Sequence, residues 1–269
     1  MLRFTRAIDA EIYLSRAARQ IRRGQWRAAA ASYREALGYE PDNLEALVNA
    51  GLVYSHLKDY PQAMAFYDRA LAIAPAHPLA LYNRALLRIE AAAIKDALAD
   101  LDAAIAAKPT FALALGNRAV LHFRAGHTEE AVADYDRAIR LQPNNALFWS
   151  NRAAAHLALN CPERAIADCD QALYLDSGLS AAYKNRGDAH LALGNSARAL
   201  VDFSAAVALD PDDGEAYLGR ARARFALQET TPGRYDASIA VRIFSATGEQ
   251  ARAEAARALL EELPPASMA

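Results

Sequence analysis

Five asparagines, Asn49, Asn83, Asn117, Asn151 and Asn185, recur every 34 residues. Asparagine is a poor helix former because its side chain competes for backbone hydrogen bonds, so its repetition inside helical segments asks for a compensating task. A row of primary amides, each offering donor and acceptor, matches the peptide group and can hold an extended chain by its backbone. The same amides can instead bridge neighbouring helices. His122, His156 and His190 share the 34-residue period and invite a metal. Packed helices, however, lie ~8–10 Å apart, whereas zinc draws nitrogens to ~2 Å from one centre. The three are therefore read as packing residues, in the place that Tyr54 fills in the second block. Arg84, Arg118, Arg152, Arg186 and Arg220 are matched by Asp100, Asp134, Asp168, Asp202 and Asp236, which predicts an ion pair inside each of those five repeats; the second repeat lacks both residues, and the first sets Arg16 against Ser32. No phosphate loop, nucleophile elbow or Cys-x-x-Cys pair is present. The expectation is a chain without catalysis, cofactor or metal.

The elements that position these residues follow from the same period. Blocks begin at Ala10, Leu44, Pro78, Ala112, Ala146, Ser180 and Gly214. Position 8 of each block is always small (Ala17, Gly51, Ala85, Ala119, Ala153, Gly187, Ala221), and positions 20 and 27 are alanine from Ala29 to Ala199 and from Ala36 to Ala206. Position 24 is mostly bulky, with Tyr33, Tyr67, Leu101, Tyr135, Cys169 and Phe203 as knobs for the gaps that the small residues leave. Turn residues such as Gly24, Gly126, Asn160 and Gly194 separate a helix A from a helix B. A proline at 41, 75, 109, 143 and 211, replaced by Ser177, closes each block. Thr128, followed by Glu129 and Glu130, reads as a capped helix start. The two halves of a block place its positions 7 and 23 equally far from the turn, hence the arginine–aspartate pairing.

One such unit cannot bury its apolar face alone, so the chain is expected to be all-α: an α-solenoid of tandem helix-turn-helix repeats in a right-handed superhelix. An N-terminal extension (1–9) precedes seven repeats at 10–43, 44–77, 78–111, 112–145, 146–179, 180–213 and 214–247. In the last, degenerate repeat, helix A runs from about Glu215 to Leu227, and Pro232 with Gly233 predicts a helix B starting late, near Tyr235. A capping helix at 248–263, with Ala251, Ala255, Leu259 and Leu263 on its apolar face, is ended by Pro264 and Pro265 before a tail at 264–269.

This pattern resembles the tetratricopeptide repeat, whose signature of an aromatic, a Leu-Gly pair, a Tyr, an Ala, an aromatic and a Pro has the same period. The resemblance covers residues 44 to 213 best, although Arg-Ala replaces Leu-Gly in most blocks, and the first block departs at its start, in Arg16, Ala17 and Gln20, while Trp26, Tyr33 and Pro41 fall in place. It implies a protein or peptide partner held in a concave groove. The five asparagines resemble the asparagine ladder in the repeat arm of O-linked N-acetylglucosamine transferases, which implies a grip on polypeptide backbone; that family's catalytic domain has no counterpart here. The carboxylate clamp of chaperone-binding repeats does not carry over, because Asp188 stands where an asparagine is required and Gly219 follows in the next block.

Leu79, Tyr82, Leu86, Leu113, Val120, Phe123 and Leu147 join the asparagines on the expected groove face as apolar pockets. With 30 Lys and Arg against 32 Asp and Glu, the net charge of −2 leaves no footprint for nucleic acid. The arginine-rich stretch from Arg16 to Arg27 reads as a solvated helix face. No apolar run approaches the ~20 residues of a membrane span, and no secretory signal is visible at the start. Two cysteines, Cys161 and Cys169, are expected to stay reduced in a cytoplasmic protein. The functional expectation is a non-catalytic adaptor or scaffold. Two alternatives stand beside it: a regulatory or substrate-recruiting subunit of an enzyme whose catalytic part is another chain, and a scaffold that assembles with copies of itself.

Overall fold

The computed structural model describes the backbone of residues 2–261 and the side chains of residues 8–261. The described residues form fifteen α-helices and no strand. In chain order these are α1 (Leu2–Arg22), α2 (Trp26–Tyr39), α3 (Leu44–His56), α4 (Tyr60–Ile73), α5 (Pro78–Glu90), α6 (Ile94–Ala107), α7 (Ala112–Arg124) and α8 (Thr128–Leu141). There follow α9 (Ala146–Ala158), α10 (Pro162–Leu175), α11 (Ser180–Ala192), α12 (Ser196–Leu209), α13 (Gly214–Ala226), α14 (Thr230–Ala246) and α15 (Gln250–Glu261). Helix α1 already occupies most of the expected extension at 1–9. The tail at 264–269, with Pro264 and Pro265, lies outside the described residues, as does Leu263. The chain divides into two compact units, one ending at Leu121 and the other beginning at His122, a division that falls within α7.

The short turn inside each hairpin is built on one residue with positive φ. Gly24, Lys58, Ala92, Gly126, Asn160, Gly194 and Gln228 follow one another at 34-residue steps. Several helices are capped by side chains at their first turn: Asn43 Oδ1 accepts from the Ala46 amide at 2.9 Å, and Asp213 Oδ1 accepts from Glu215 at 2.9 Å and Ala216 at 3.2 Å. Thr128 is not such a cap. It is the first helical residue of α8, whose N-cap, His127, makes no side-chain capping bond; Glu129 and Glu130 still face the positive end of the dipole.

Within each unit the alanine columns and the position-24 knobs are buried together, with Ala63, Tyr67, Ala70, Ala199, Phe203 and Ala206 at 0–1% exposure. Gly51 is needed there because a Cβ would stand 2.5 Å from Tyr67 Cε1. Consecutive odd-numbered helices touch, α3 with α5 in the first unit, and α9 with α11 and α11 with α13 in the second, so each unit presents one face made of odd helices.

Two expectations near the end of the chain are corrected. Helix α14 begins at Thr230 and not near Tyr235. Pro232 is its third residue, where a backbone N–H has no intrahelical acceptor to lose, and Gly233 gives Phe225 room, since a Cβ would lie 2.4 Å from its Cε1. The last helix buries Ala253 and Ala256 against Leu218, Ala240 and Phe244, with Leu259 beside them, while Ala251 and Ala255 are exposed. The reason is its turn: Gly248 has the positive φ of a turn inside a hairpin, so α15 takes the register of a second hairpin helix.

Candidate functional site

On the odd-helix face of the first unit the heptad spacing of Leu79 and Leu86 places both on one stripe of α5, at 43% and 36% exposure. Leu52 of α3 and Leu113 of α7 are exposed beside them in the same register, at 45% and 40%. Val120 and Tyr82 are half-buried. The Tyr82 ring packs 4.8 Å from Phe111, and its hydroxyl accepts a hydrogen bond from Asn117 Nδ2 at 3.1 Å. In the second unit Leu147 of α9 is exposed and Phe123 is half-buried.

The asparagines turn out to be occupied with their neighbours. Asn83 is buried and hydrogen-bonded to the Tyr67 hydroxyl of the preceding hairpin, so its expected exposure to a guest chain does not hold. Asn117 uses Nδ2 on both Tyr82 and the Leu113 carbonyl, the latter at 3.0 Å. Asn151 bonds to the Tyr135 hydroxyl, and Asn185 Nδ2 donates to the Ser150 carbonyl of α9 at 3.0 Å. Burial raises both tyrosines, Tyr67 and Tyr135, above the ordinary phenol pKa, so they remain protonated partners. Asn49 is half-buried at the rim of an open cleft of about 440 Å³ lined by Leu44, Glu45, Val48, Asn49, His77 and Leu79. His77 Nδ1 accepts from the Ala80 amide at 3.2 Å and so caps α5.

Behind these faces lies the charge ladder. Arg84 grips Asp100 through Nε and Nη2, at 2.9 and 2.7 Å, and Arg152–Asp168, Arg186–Asp202 and Arg220–Asp236 repeat the fork. The sequence reading missed a second acid. Arg84 Nη1 also reaches Asp68 at 2.7 Å in the preceding hairpin, as Arg118 reaches Asp102, Arg152 reaches Asp136 and Arg186 reaches Asp170, each at 2.6 Å. Each of these arginines thus joins its own helix to the helix before it. The signal was present as Asp-x-Asp, in Asp100 with Asp102, Asp134 with Asp136 and Asp168 with Asp170. Hydrogen bonding to Asp100 and Asp202 holds Arg84 and Arg186 above the ordinary guanidinium pKa.

The buried aspartates meet a second basic residue four positions after the first. Arg88 lies 2.5 Å from Asp100 and Arg224 lies 2.7 Å from Asp236, whereas His156 and His190 stand 3.7 and 3.8 Å from Asp168 and Asp202. Burial lowers the pKa of both histidines against the pull of those carboxylates. Asp188 of α11 is open to solvent at its surface yet hemmed in by protein, and burial pushes its carboxyl up to about 6, countered by Arg222 and Lys184 and reinforced by Glu215. Lys184 itself is bound to Asp213 at 2.7 Å. Both cysteines are free, and burial pushes the Cys169 thiol up to about 12. Among the described residues no group of three His, Cys, Asp or Glu is placed to hold a metal, and no helix is long and apolar enough to cross a membrane.

Comparison with known proteins agrees with this architecture. The structure is similar to that of a tetratricopeptide repeat protein from Parabacteroides merdae, at 20% identity and TM-score 0.66 over 94% of this chain and 98% of that one. YrrB, described as a TPR protein with an unusual peptide-binding site, is similar at 19% identity and TM-score 0.61, over 70% of this chain and 96% of its own. MamA from Desulfovibrio magneticus RS-1 is similar at 22% identity and TM-score 0.57, over 64% and 97%. No curated protein matches in sequence. The tetratricopeptide repeat family profile matches residues 14–78 and 184–241, and a second TPR repeat profile matches residues 123–160. With the periodic hairpins, the buried alanine columns and these matches in hand, the chain belongs to the tetratricopeptide repeat family.

Proposed function

We propose that this chain is a non-catalytic interaction adaptor that holds a partner polypeptide against the odd-helix faces. The observation that carries the reading is the exposed leucine row of the first unit, Leu52, Leu79, Leu86 and Leu113, which leaves apolar side chains in water with no role in the core. Tyr82 and Val120 complete the apolar pockets there, and Leu147 with Phe123 supplies them in the second unit. YrrB, with the same fold, is described as having a peptide-binding site, which supports the class of partner.

The asparagines take a smaller part than a free ladder would give them. Asn117 and Asn185 use their amide nitrogens on neighbouring helices, so their side-chain carbonyls are what they offer to guest N–H groups. Asn49 at the open cleft and Asn151 take the same role. A pair of changes tests the reading. Leu79→Asp with Leu113→Asp places two charges on the row, and partner capture is expected to fall at least about tenfold while helicity and melting stay near wild type, because both side chains are exposed. Undiminished capture by the folded double variant contradicts it.

A further inference from the structure

We propose that the cleft between the N-terminal ends of α3 and α5 seats a lysine or arginine side chain of the bound segment, an inference that rests on the peptide-binding reading above. Three observations converge on that chemistry. The cleft has an apolar lining in Leu44, Val48 and Leu79, suited to the aliphatic stem of a basic side chain, whose charged head keeps to polar company. Glu45 and Asn49 line it too. Glu45 is exposed and makes no ion pair among the described residues, so its carboxylate is available to a cation. The third observation is the absence of any lysine or arginine from the lining, where His77 caps α5 by accepting the Ala80 amide through Nδ1 at 3.2 Å.

The surrounding wall has the same sign. Along the first unit, the positions that carry the groove face are Glu11, Glu45, Leu79 and Leu113 (position 2), Ser15, Asn49, Asn83 and Asn117 (position 6), and Ala18, Leu52, Leu86 and Val120 (position 9). Two carboxylates and no lysine or arginine occur among them. A segment alternating apolar and basic side chains is complementary to such a wall; an acidic segment is repelled by it.

The test uses the full chain and three synthetic fluorescent peptides that differ at one central residue, arginine, norleucine or glutamate, between flanking leucines. In low salt the arginine peptide is expected to bind about tenfold tighter than the glutamate peptide, and Glu45→Lys to reverse that order. Because Glu45 also stabilises the first turn of α3, Glu45→Gln serves as the milder variant: it keeps the fold and is expected to erase the preference without reversing it. Equal binding of the arginine and glutamate peptides to wild type, or a preference that survives in both Glu45 variants, overturns the inference. Leu86→Asp, on the leucine row but outside the cleft, separates the two readings. If it weakens all three peptides while the Glu45 variants change nothing, the groove reading stands and only the basic-residue inference fails. If no peptide binds below about 1 mM, or if Leu86→Asp leaves binding intact, both fail.

Discussion

Arg84, Arg152, Arg186 and Arg220 each hold an aspartate that the fold has almost removed from water. Asp168 is among the buried charged residues, and its partners are the forked Arg152 guanidinium and His156 at 3.7 Å. Removing one member of such a pair strands the other, whereas removing both leaves only a small cavity. Arg152→Ala is therefore expected to cost roughly 3 kcal/mol in a denaturant melt, and Arg152→Ala with Asp168→Ala less; equal costs would contradict the pairing. The histidines and Asp188 make stability depend on pH with opposite signs. Burial lowers the His156 and His190 pKa values, so as pH falls below about 6.5 the unfolded chain takes up protons first and stability declines. Asp188, raised from 3.8 to about 6, stabilises the fold most below its unfolded value and loses that contribution as pH rises from about 4 to 6. Asp188→Asn is expected to melt higher than wild type at pH 7 and to lose this advantage at pH 4, a pattern read directly from paired thermal melts. The spacing of Arg84 and Asp100 made the ion pair inside a hairpin legible, because both lie equally far from one turn. The second acid, Asp68, depends on the register between successive hairpins, which that symmetry leaves open. The asparagines were visible as a column, but the direction of each amide is decided by the tyrosine or carbonyl that the neighbouring hairpin places beside it.

At the scale of elements, the hairpin turn is the repeated device. A left-handed residue is required at the same point of every hairpin, and Gly24, Gly126 and Gly194 meet it without cost, whereas Lys58, Ala92, Asn160 and Gln228 hold positive φ with a side chain. Ala92→Gly is expected to stabilise the fold by about 0.5–1 kcal/mol and Gly126→Ala to destabilise it by at least as much, measured as shifts in chemical denaturation midpoints; an Ala92→Gly variant that unfolds more easily would contradict the strain argument. The glycines in the turns were readable from sequence, while the same conformation at Ala92 was hidden because nothing in alanine announces it. Helix α14 illustrates the opposite error. Pro232 with Gly233 looks like a break, but a proline in a first turn removes no hydrogen bond, and the glycine is there for Phe225. The face of α15 was misassigned for a related reason: a 34-residue count does not register that Gly248 starts a hairpin turn early.

For the whole molecule, periodicity carried the reading further than composition did. A net charge of −2 says little by itself, yet the same residues sorted by repeat position divide into buried columns, a charge ladder and an exposed leucine row. The first two hold the hairpins together; the third has no structural task. We propose that this row meets the partner. It is tested most directly by affinity capture with charges placed on either side of the first unit: Leu79→Asp with Leu113→Asp on the odd-helix face, and Ala65→Asp with Ala99→Asp at exposed positions of α4 and α6. The leucine pair is expected to lose the partner and the alanine pair to keep it, with both variants folded. Capture that survives the leucine changes and disappears with the alanine changes would place the binding face on the even helices and contradict it.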